Sequence, residues 1–200
     1  AEAVLMCTWR EVVGAFEDFR LEAGQRVLVV GGGPVGLSFV RFARLLGLAW
    51  VGLVDRHAGK REKAIEFGAD QVFAPDELPD FTKRNTHSLD AVIDAVGKEE
   101  VISSALPLVR MGGSICVYGV IGADSLHIAK SAGPHNFNLL VHQWPTRRHE
   151  AAAQGPLTRW IREGSLSASD FVTHEFAIEQ ISDALAAVQA RTAIKCLLHY

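Results

Sequence analysis

Three glycines follow the apolar run at residues 27–30. Gly31, Gly33 and Gly36 have the spacing G-x-G-x-x-G, in which each glycine meets a separate demand. Gly31 permits a tight turn out of a strand, and Gly33 lets the backbone approach a pyrophosphate. Gly36 lets the next helix pack closely against the strands. Pro34 suits a first helical turn, where its missing N–H would have no acceptor, and Val35 stands beside it on the inner face of that helix. The helix start offers N–H groups and a positive dipole end to phosphate. By itself the same pattern also suits a strand-to-helix turn with no ligand.

A second residue gives the motif its chemistry. Asp55 follows the apolar stretch 50–54 and lies 19 positions after Gly36. A carboxylate there can accept hydrogen bonds from both hydroxyls of an adenosine ribose, and it would repel a 2′-phosphate. NAD is therefore favoured over NADP. Arg56 counts the other way, because a neighbouring arginine can serve a phosphate. An aspartate that caps a helix would occupy the same place. S-adenosylmethionine is the runner-up ligand for such a pattern, and Gly36 argues for the dinucleotide. His57 is within reach of an adenine.

These residues need a scaffold of strands alternating with helices. Apolar periodicity suggests one or two helices over 3–19, a strand at 26–31 and a helix over 34–46 ended by Gly47. A strand at 50–55, a helix over 60–67 ended by Gly68 and a brief strand at 71–74 follow. Residues 75–88 read as polar and turn-rich. A strand at 89–95, a helix over 99–109, a turn at Gly112-Gly113 and a strand at 114–119 come next. Residues 122–138 read as a long irregular loop, with a further strand at 139–144. This alternation implies right-handed crossovers and a doubly wound parallel α/β sheet, a Rossmann fold, of about six strands. Beyond residue 147 the pattern changes to helices at 151–163 and 179–189, with extended stretches at 171–176 and 193–200.

Composition limits the partners. A formal net charge of −3 leaves no basic footprint for nucleic acid. The clusters around Lys60-Arg61 and Arg147-Arg148 are too short to alter that. Cys7, Cys116 and Cys196 are odd in number and widely spaced, which argues against a disulfide framework and fits a reducing, cytoplasmic compartment. No signal peptide is visible, and Arg41 and Arg44 interrupt the apolar stretch that might cross a membrane. His135, His142 and His149 are seven apart but span a loop and a strand, so the spacing fixes no common face. No Gly-x-Ser-x-Gly is present for a hydrolase elbow. The opening, Ala1-Glu2-Ala3-Val4-Leu5, reads as a start inside a larger protein.

Several segments together carry a family resemblance. The run 27–55, Glu66-Phe67-Gly68-Ala69-Asp70, Asp90-Ala91-Val92-Ile93-Asp94, Gly112-Gly113, Tyr118-Gly119-Val120 and the ending from Phe176 to Lys195 resemble the zinc-containing medium-chain alcohol and polyol dehydrogenases. The resemblance covers essentially the whole chain. It implies a tail of a catalytic domain at 1–11, a dinucleotide-binding domain at 12–146 and a segment at 147–200 that returns to the catalytic domain. It also implies that most of the catalytic domain, with the first zinc ligands, lies elsewhere. Glu2 stands where the polyol branch has a glutamate at or near the zinc, although Ala3 replaces the family's proline. By the same resemblance Lys60 would sit by the adenosine ribose, and Ala95, Val96 and Gly97 would line the cofactor cleft. Gly119 and Val120 would face the nicotinamide carboxamide, and Lys195 would lie near the pyrophosphate. The substrate would be an alcohol, polyol or sugar, oxidised by hydride transfer to NAD with zinc in the intact enzyme. The 200 residues alone would be inactive, and relatives pair into homodimers through the strand near 139–144. Two alternatives remain: a free-standing NAD-binding or redox-sensing module without catalysis, and a zinc-independent quinone reductase relative.

Overall fold

A computed structural model describes residues 2–200; Ala1, the first residue of the expected 1–11 tail, lies outside the described residues. Six parallel strands form one sheet in the order β3-β2-β1-β4-β5-β6. They are β1 (Arg26–Val30), β2 (Trp50–Val54), β3 (Gln71–Phe73), β4 (Leu89–Asp94), β5 (Val109–Val117) and β6 (Asn138–Val141). The chain winds outward from β1 to β3, then returns to place β4 against the other side of β1. The strand order therefore reverses between β1 and β4, which opens a crevice at their carboxyl ends. In register, Val30 pairs with both Val54 and Asp94, and Asp94 pairs with Val117. These ends lie level along one edge.

Helices cover both faces because the strands are apolar on both. Val27 and Val29 join one core with Val51, Leu53, Ala91, Ile93 and Cys116. Helices α1 (Glu2–Asp18), α2 (Pro34–Leu45) and α7 (Gln154–Arg162) close it through Trp9, Phe16, Phe39, Phe42 and Trp160. Leu28, between the two valines, turns to the opposite core with Val92, Ile115, Phe81 and Ile102. Helices α4 (Leu78–Arg84) and α5 (Glu99–Ala105) cover that side. The alternation is the period of two expected of a strand buried on both faces.

Residues 2–18 make one unbroken helix, within the one or two read from the sequence, and position 11 lies inside it. Several other elements differ from the sequence reading. The polar stretch 75–88 contains α4, anchored by Phe81, whose ring stacks on Trp50 at 5.7 Å and meets Phe73 at 4.5 Å. Gly112-Gly113 is not a turn between elements but an irregularity within β5. Gly112 has φ +74° there, and a Cβ on Gly113 would lie 2.8 Å from the Asp90 carbonyl oxygen. Helix α3 begins at Ala58 rather than Lys60 and spans Ala58–Glu66. The helix expected over 151–163 is two helices, α6 (Arg147–Ala152) and α7.

The C-terminal part adds a second, two-stranded parallel sheet of β7 (Val172–Ala177) and β8 (Lys195–His199), connected through α8 (Ile181–Gln189). A buried staple joins α6 to the body. The Asp18 carboxylate, 3% exposed, accepts from the Thr146 N–H at 2.7 Å, its hydroxyl at 2.6 Å and His149 Nδ1 at 3.0 Å. His142 Nδ1 lies 3.9 Å away, so two of the three equally spaced histidines converge on one carboxylate. All three cysteines are free, and only Cys116 is buried. No described helix is long and apolar enough to cross a membrane.

Candidate functional site

The crevice at the strand-order reversal is a cleft of about 590 Å³. Gly31 and Gly33 form its floor, Asp55, Arg56 and Lys60 one wall, and Ala95 and Val96 the other. Seven expected site residues thus meet in one space. Pro75 and Leu78, from the segment read as a loop, also line it, as do Lys98 and Arg191. Nothing in the spacing of the sequence ties these four to the glycine turn.

The three motif glycines have different physical reasons. Gly31 has φ +103°, a left-handed conformation that strains any side chain, and a Cβ there would meet Val96 Cγ2 at 2.8 Å. A Cβ on Gly36 would lie 1.7 Å from the Gly31 carbonyl oxygen, so α2 packs directly on the turn. Gly33 has an ordinary φ of −71°, and nothing of the protein lies within 4 Å of the place its Cβ would take. No internal contact demands glycine at this position, yet it borders the cleft. The open space above it fits a group that approaches the backbone closely. Val35 and Gly36 sit in the first turn of α2, where N–H groups have no intrahelical acceptor. Pro34 opens the helix and borders a separate, small cavity with Ser38 and Lys195.

Asp55 is tied to the turn. Its Oδ2 accepts from the Gly32 N–H at 2.7 Å, and its Oδ1 accepts from the His57 N–H at 2.8 Å and meets His57 Nδ1 at 2.9 Å. Arg61 Nη1 donates to the Asp55 carbonyl at 2.8 Å. Burial of this carboxyl, 11% exposed, pushes its pKa up, but the three hydrogen bonds and nearby Lys60 outweigh that and hold it below its ordinary value. Asp55 is therefore anionic at neutral pH, and Oδ2 keeps a lone pair for an outside donor. His57, which the sequence puts within reach of an adenine without assigning it a role, clamps Asp55 through both its N–H and its ring. Arg56 has no ion pair or side-chain hydrogen bond among the described residues.

On the far wall, Asp94 is fully buried. Its Oδ1 accepts from the Val96 and Gly97 N–H groups at 2.8 and 2.9 Å, closing the turn that carries Ala95 and Val96. Oδ2 has no partner, and burial raises its pKa. Gly97, with φ +82°, lies against the next strand end: a Cβ on it would meet the Val120 carbonyl oxygen at 2.3 Å. Gly119 faces Gly97 equally closely, and its carbonyl accepts from Gln143 Nε2 at 3.1 Å. Gly97, Gly119 and Val120 thus form a junction of β4 and β5 ends beyond the cleft proper, with Val120 exposed.

Lys195 and Glu2, expected near the pyrophosphate and near zinc respectively, do not line this cleft. Lys195 borders the small cavity with Leu5, Trp9, Pro34 and Phe171 rather than the main cleft. Glu2 begins α1, and its Oε1 accepts from the Ala168 N–H at 3.4 Å. No group of three or more His, Cys, Asp or Glu side chains suited to a metal ion exists among the described residues. This donor set does not by itself fit zinc.

A doubly wound sheet, a glycine turn at the reversal point and an acid after the second strand define a Rossmann-type dinucleotide-binding unit. The family model described as "Zinc-binding dehydrogenase" matches residues 34–151, and the chain belongs to that family. D-arabinitol dehydrogenase 1 of Uromyces fabae is 25% identical over 203 residues, 92% of this chain and 54% of that protein. A short chain alcohol dehydrogenase from Escherichia coli CFT073, solved with NADH, superposes with a TM-score of 0.86 at 20% identity, covering 100% of this chain and 59% of that one. A Sinorhizobium meliloti 1021 structure bound to NADP superposes at 0.83 with 21% identity, covering 100% and 59%. At these identities the structures establish the fold. The chain spans about half the length of the curated relatives it matches.

Proposed function

We propose that the cleft binds the adenosine and diphosphate part of a nicotinamide dinucleotide, NAD in preference to NADP. The chain would then be the coenzyme-binding part of a zinc-dependent alcohol or polyol dehydrogenase. The observation that carries the reading is Asp55, an ionised carboxylate fixed beside the open backbone of Gly33. In this reading Asp55 Oδ2 takes a ribose hydroxyl, and Lys60 sits beside that ribose. The turn 31–36 receives the diphosphate, with Pro34 and Val35 setting the start of α2. The junction of Gly97, Gly119 and Val120 presents backbone groups toward the nicotinamide. The apolar walls at Val30, Val54, Ala95 and Val96 exclude water around the bound nucleotide. The dinucleotide, when bound, supplies the hydride acceptor. No step in this reading passes through zinc, because the described residues hold no group of three or more metal-ligating side chains.

Substrate class follows the same reading: an alcohol, polyol or sugar. Strand β6 lies at the sheet edge with Val141 exposed, and Trp144, just beyond it, is 79% exposed. We infer a homodimer through this edge, since an open apolar edge strand favours pairing. A monomer by light scattering would refute it. The coenzyme assignment is tested by calorimetric titration with NAD, NADP and S-adenosylmethionine. Saturable one-site binding of NAD, weaker for NADP and absent for S-adenosylmethionine, is the expected outcome. Preferential binding of S-adenosylmethionine would overturn it.

A further inference from the structure

A second large cleft, of about 550 Å³, opens where α1, α6 and the connection from β6 meet. Arg10 and Glu11 reach it from α1, Trp144 and Pro145 from the connection, and Arg147 and Glu150 from α6. Tertiary contacts hold these walls in place. The two helices cross at Gly14, where a Cβ would lie 2.8 Å from the Glu150 nitrogen. Arg10 Nη2 pairs with Glu150 Oε1 at 3.1 Å. The Asp18 carboxylate pins Thr146, which stands between Pro145 and Arg147. Two side chains on this fixed frame have nothing to hold. Trp144 is 79% exposed, with no ring contact and no acceptor for its indole N–H among the described residues. The Arg147 guanidinium makes no ion pair or hydrogen bond among them.

The cleft adjoins the end of β5 that carries Gly119. Gln143 Nε2 donates to the Gly119 carbonyl at 3.1 Å, and Trp144 is the next residue. Tyr118 precedes Gly119, and its phenol is near enough to Glu11 that this charge adds to burial in pushing its pKa up. Glu11 and Trp144 therefore both lie close to the strand end where the nicotinamide is read.

The lining carries two cations, Arg10 and Arg147, and two anions, Glu11 and Glu150. It offers many donors and acceptors but no net charge. A hydroxyl both donates and accepts, so a molecule with several hydroxyls satisfies both kinds of group. A carboxylate would meet as many anions as cations. An aliphatic chain would take water from the charged groups and return no hydrogen bond. The indole has an apolar face and a polar N–H, which suits a carbon chain that carries C–H groups beside hydroxyls.

We infer that this cleft receives the substrate, and that the substrate is an uncharged polyol or sugar rather than an aliphatic alcohol or a sugar acid. Trp144 and Arg147 are its specificity-determining contacts. The inference rests on the coenzyme reading, which puts the hydride acceptor beside Gly119.

The test follows the Trp144 indole N–H by NMR, identified by its loss in Trp144→Ala, while the NAD-saturated chain is titrated with sorbitol, gluconate and hexanol. Calorimetry repeats the titrations on Trp144→Ala and Arg147→Ala. Both side chains are exposed, so the variants should melt with the parent. Millimolar sorbitol should shift the Trp144 signal saturably, gluconate and hexanol should bind more weakly, and NAD alone should leave the signal in place. Trp144→Ala should weaken sorbitol roughly tenfold, and Arg147→Ala roughly tenfold or more, with NAD affinity unchanged in both. Gluconate or hexanol binding ahead of sorbitol would overturn the inference. So would sorbitol affinity untouched by either variant, or a Trp144 signal that moves only with protein concentration, as when a second copy covers it. Failure of the parent chain to bind NAD would instead overturn the coenzyme reading.

Discussion

Asp55 and Asp94 stand at the carboxyl ends of β2 and β4, the two strands that flank β1, yet they do opposite things. Each fixes main-chain N–H groups at the crevice. Asp55 accepts from Gly32 and His57 and retains contact with the cleft, whereas Asp94 accepts from Val96 and Gly97 and is sealed from solvent. The Asp55 pKa is lowered because hydrogen bonds and Lys60 outweigh its burial. The Asp94 pKa is raised because burial dominates and Oδ2 finds no donor. The same residue type, in the same place relative to neighbouring strands, gives an exposed-edge anion on one wall and a sealed structural carboxyl on the other. Position along the crevice, not residue type, decides which acid borders the cleft.

Asp94 is where this contrast breaks most visibly. Removing its carboxyl in Asp94→Ala takes the acceptor from two part-buried N–H groups, and at about 0.5–1.5 kcal/mol for each hydrogen bond denaturant melts should show a loss of roughly 1–3 kcal/mol. Asp94→Asn keeps an acceptor at Oδ1 and should unfold with the parent protein or later. Equal damage from both variants would mean that the charge itself is needed.

Asp55→Ala should weaken NAD by roughly ten- to a hundredfold, the loss of a hydrogen bond to a charged group. NADP, which that carboxylate repels, should weaken less, and the ratio of the two titrations reads the difference. A variant that loses NADP as steeply as NAD would place the ribose elsewhere.

The pH dependence of the two acids has opposite sign. Asp55 has a lowered pKa in the folded state, so its contribution is present above the unfolded value of about 3.9 and is lost as pH falls. Asp94 has a raised pKa, so its contribution is full below that value and is lost as pH rises through the folded pKa. Melting curves of Asp94→Asn against the parent protein should diverge in favour of the variant as pH rises from 4 toward 7, roughly the span between the carboxylate range and neutrality. Parallel curves would contradict the assignment. The smallest effect belongs to His57→Ala, which removes one of the three donors from Asp55. About 0.5–1.5 kcal/mol of stability is at stake, with a modest fall in NAD affinity, read in the same two assays.

Much of this was legible in the sequence because it is local. The glycine spacing, the strand before it and Asp55 after the next strand all lie within one βαβ unit, where periodicity and turn chemistry act over few residues. Helix α4 was hidden because its neighbours are polar, and its stability comes from Phe81 stacking on Trp50 and Phe73, contacts made only after the sheet assembles. Gly112-Gly113 reads as a turn by composition, but β5 uses the pair to pass close to the Asp90 carbonyl oxygen. Arg191 had no local signal at all, since only the return of the C-terminal part brings it to the cleft. The convergence of His142 and His149 on Asp18 is equally tertiary, because a strand end and a helix start have no common period.

Backbone amide shifts on addition of NAD test the central claim most directly. Saturable perturbations are expected at Gly31, Gly32 and Gly33, at Asp55 and His57, and at Ala95 and Val96, with residues around Trp144 unmoved. Shifts absent from the glycine turn, or centred away from the carboxyl ends of β1, β2 and β4, would contradict it.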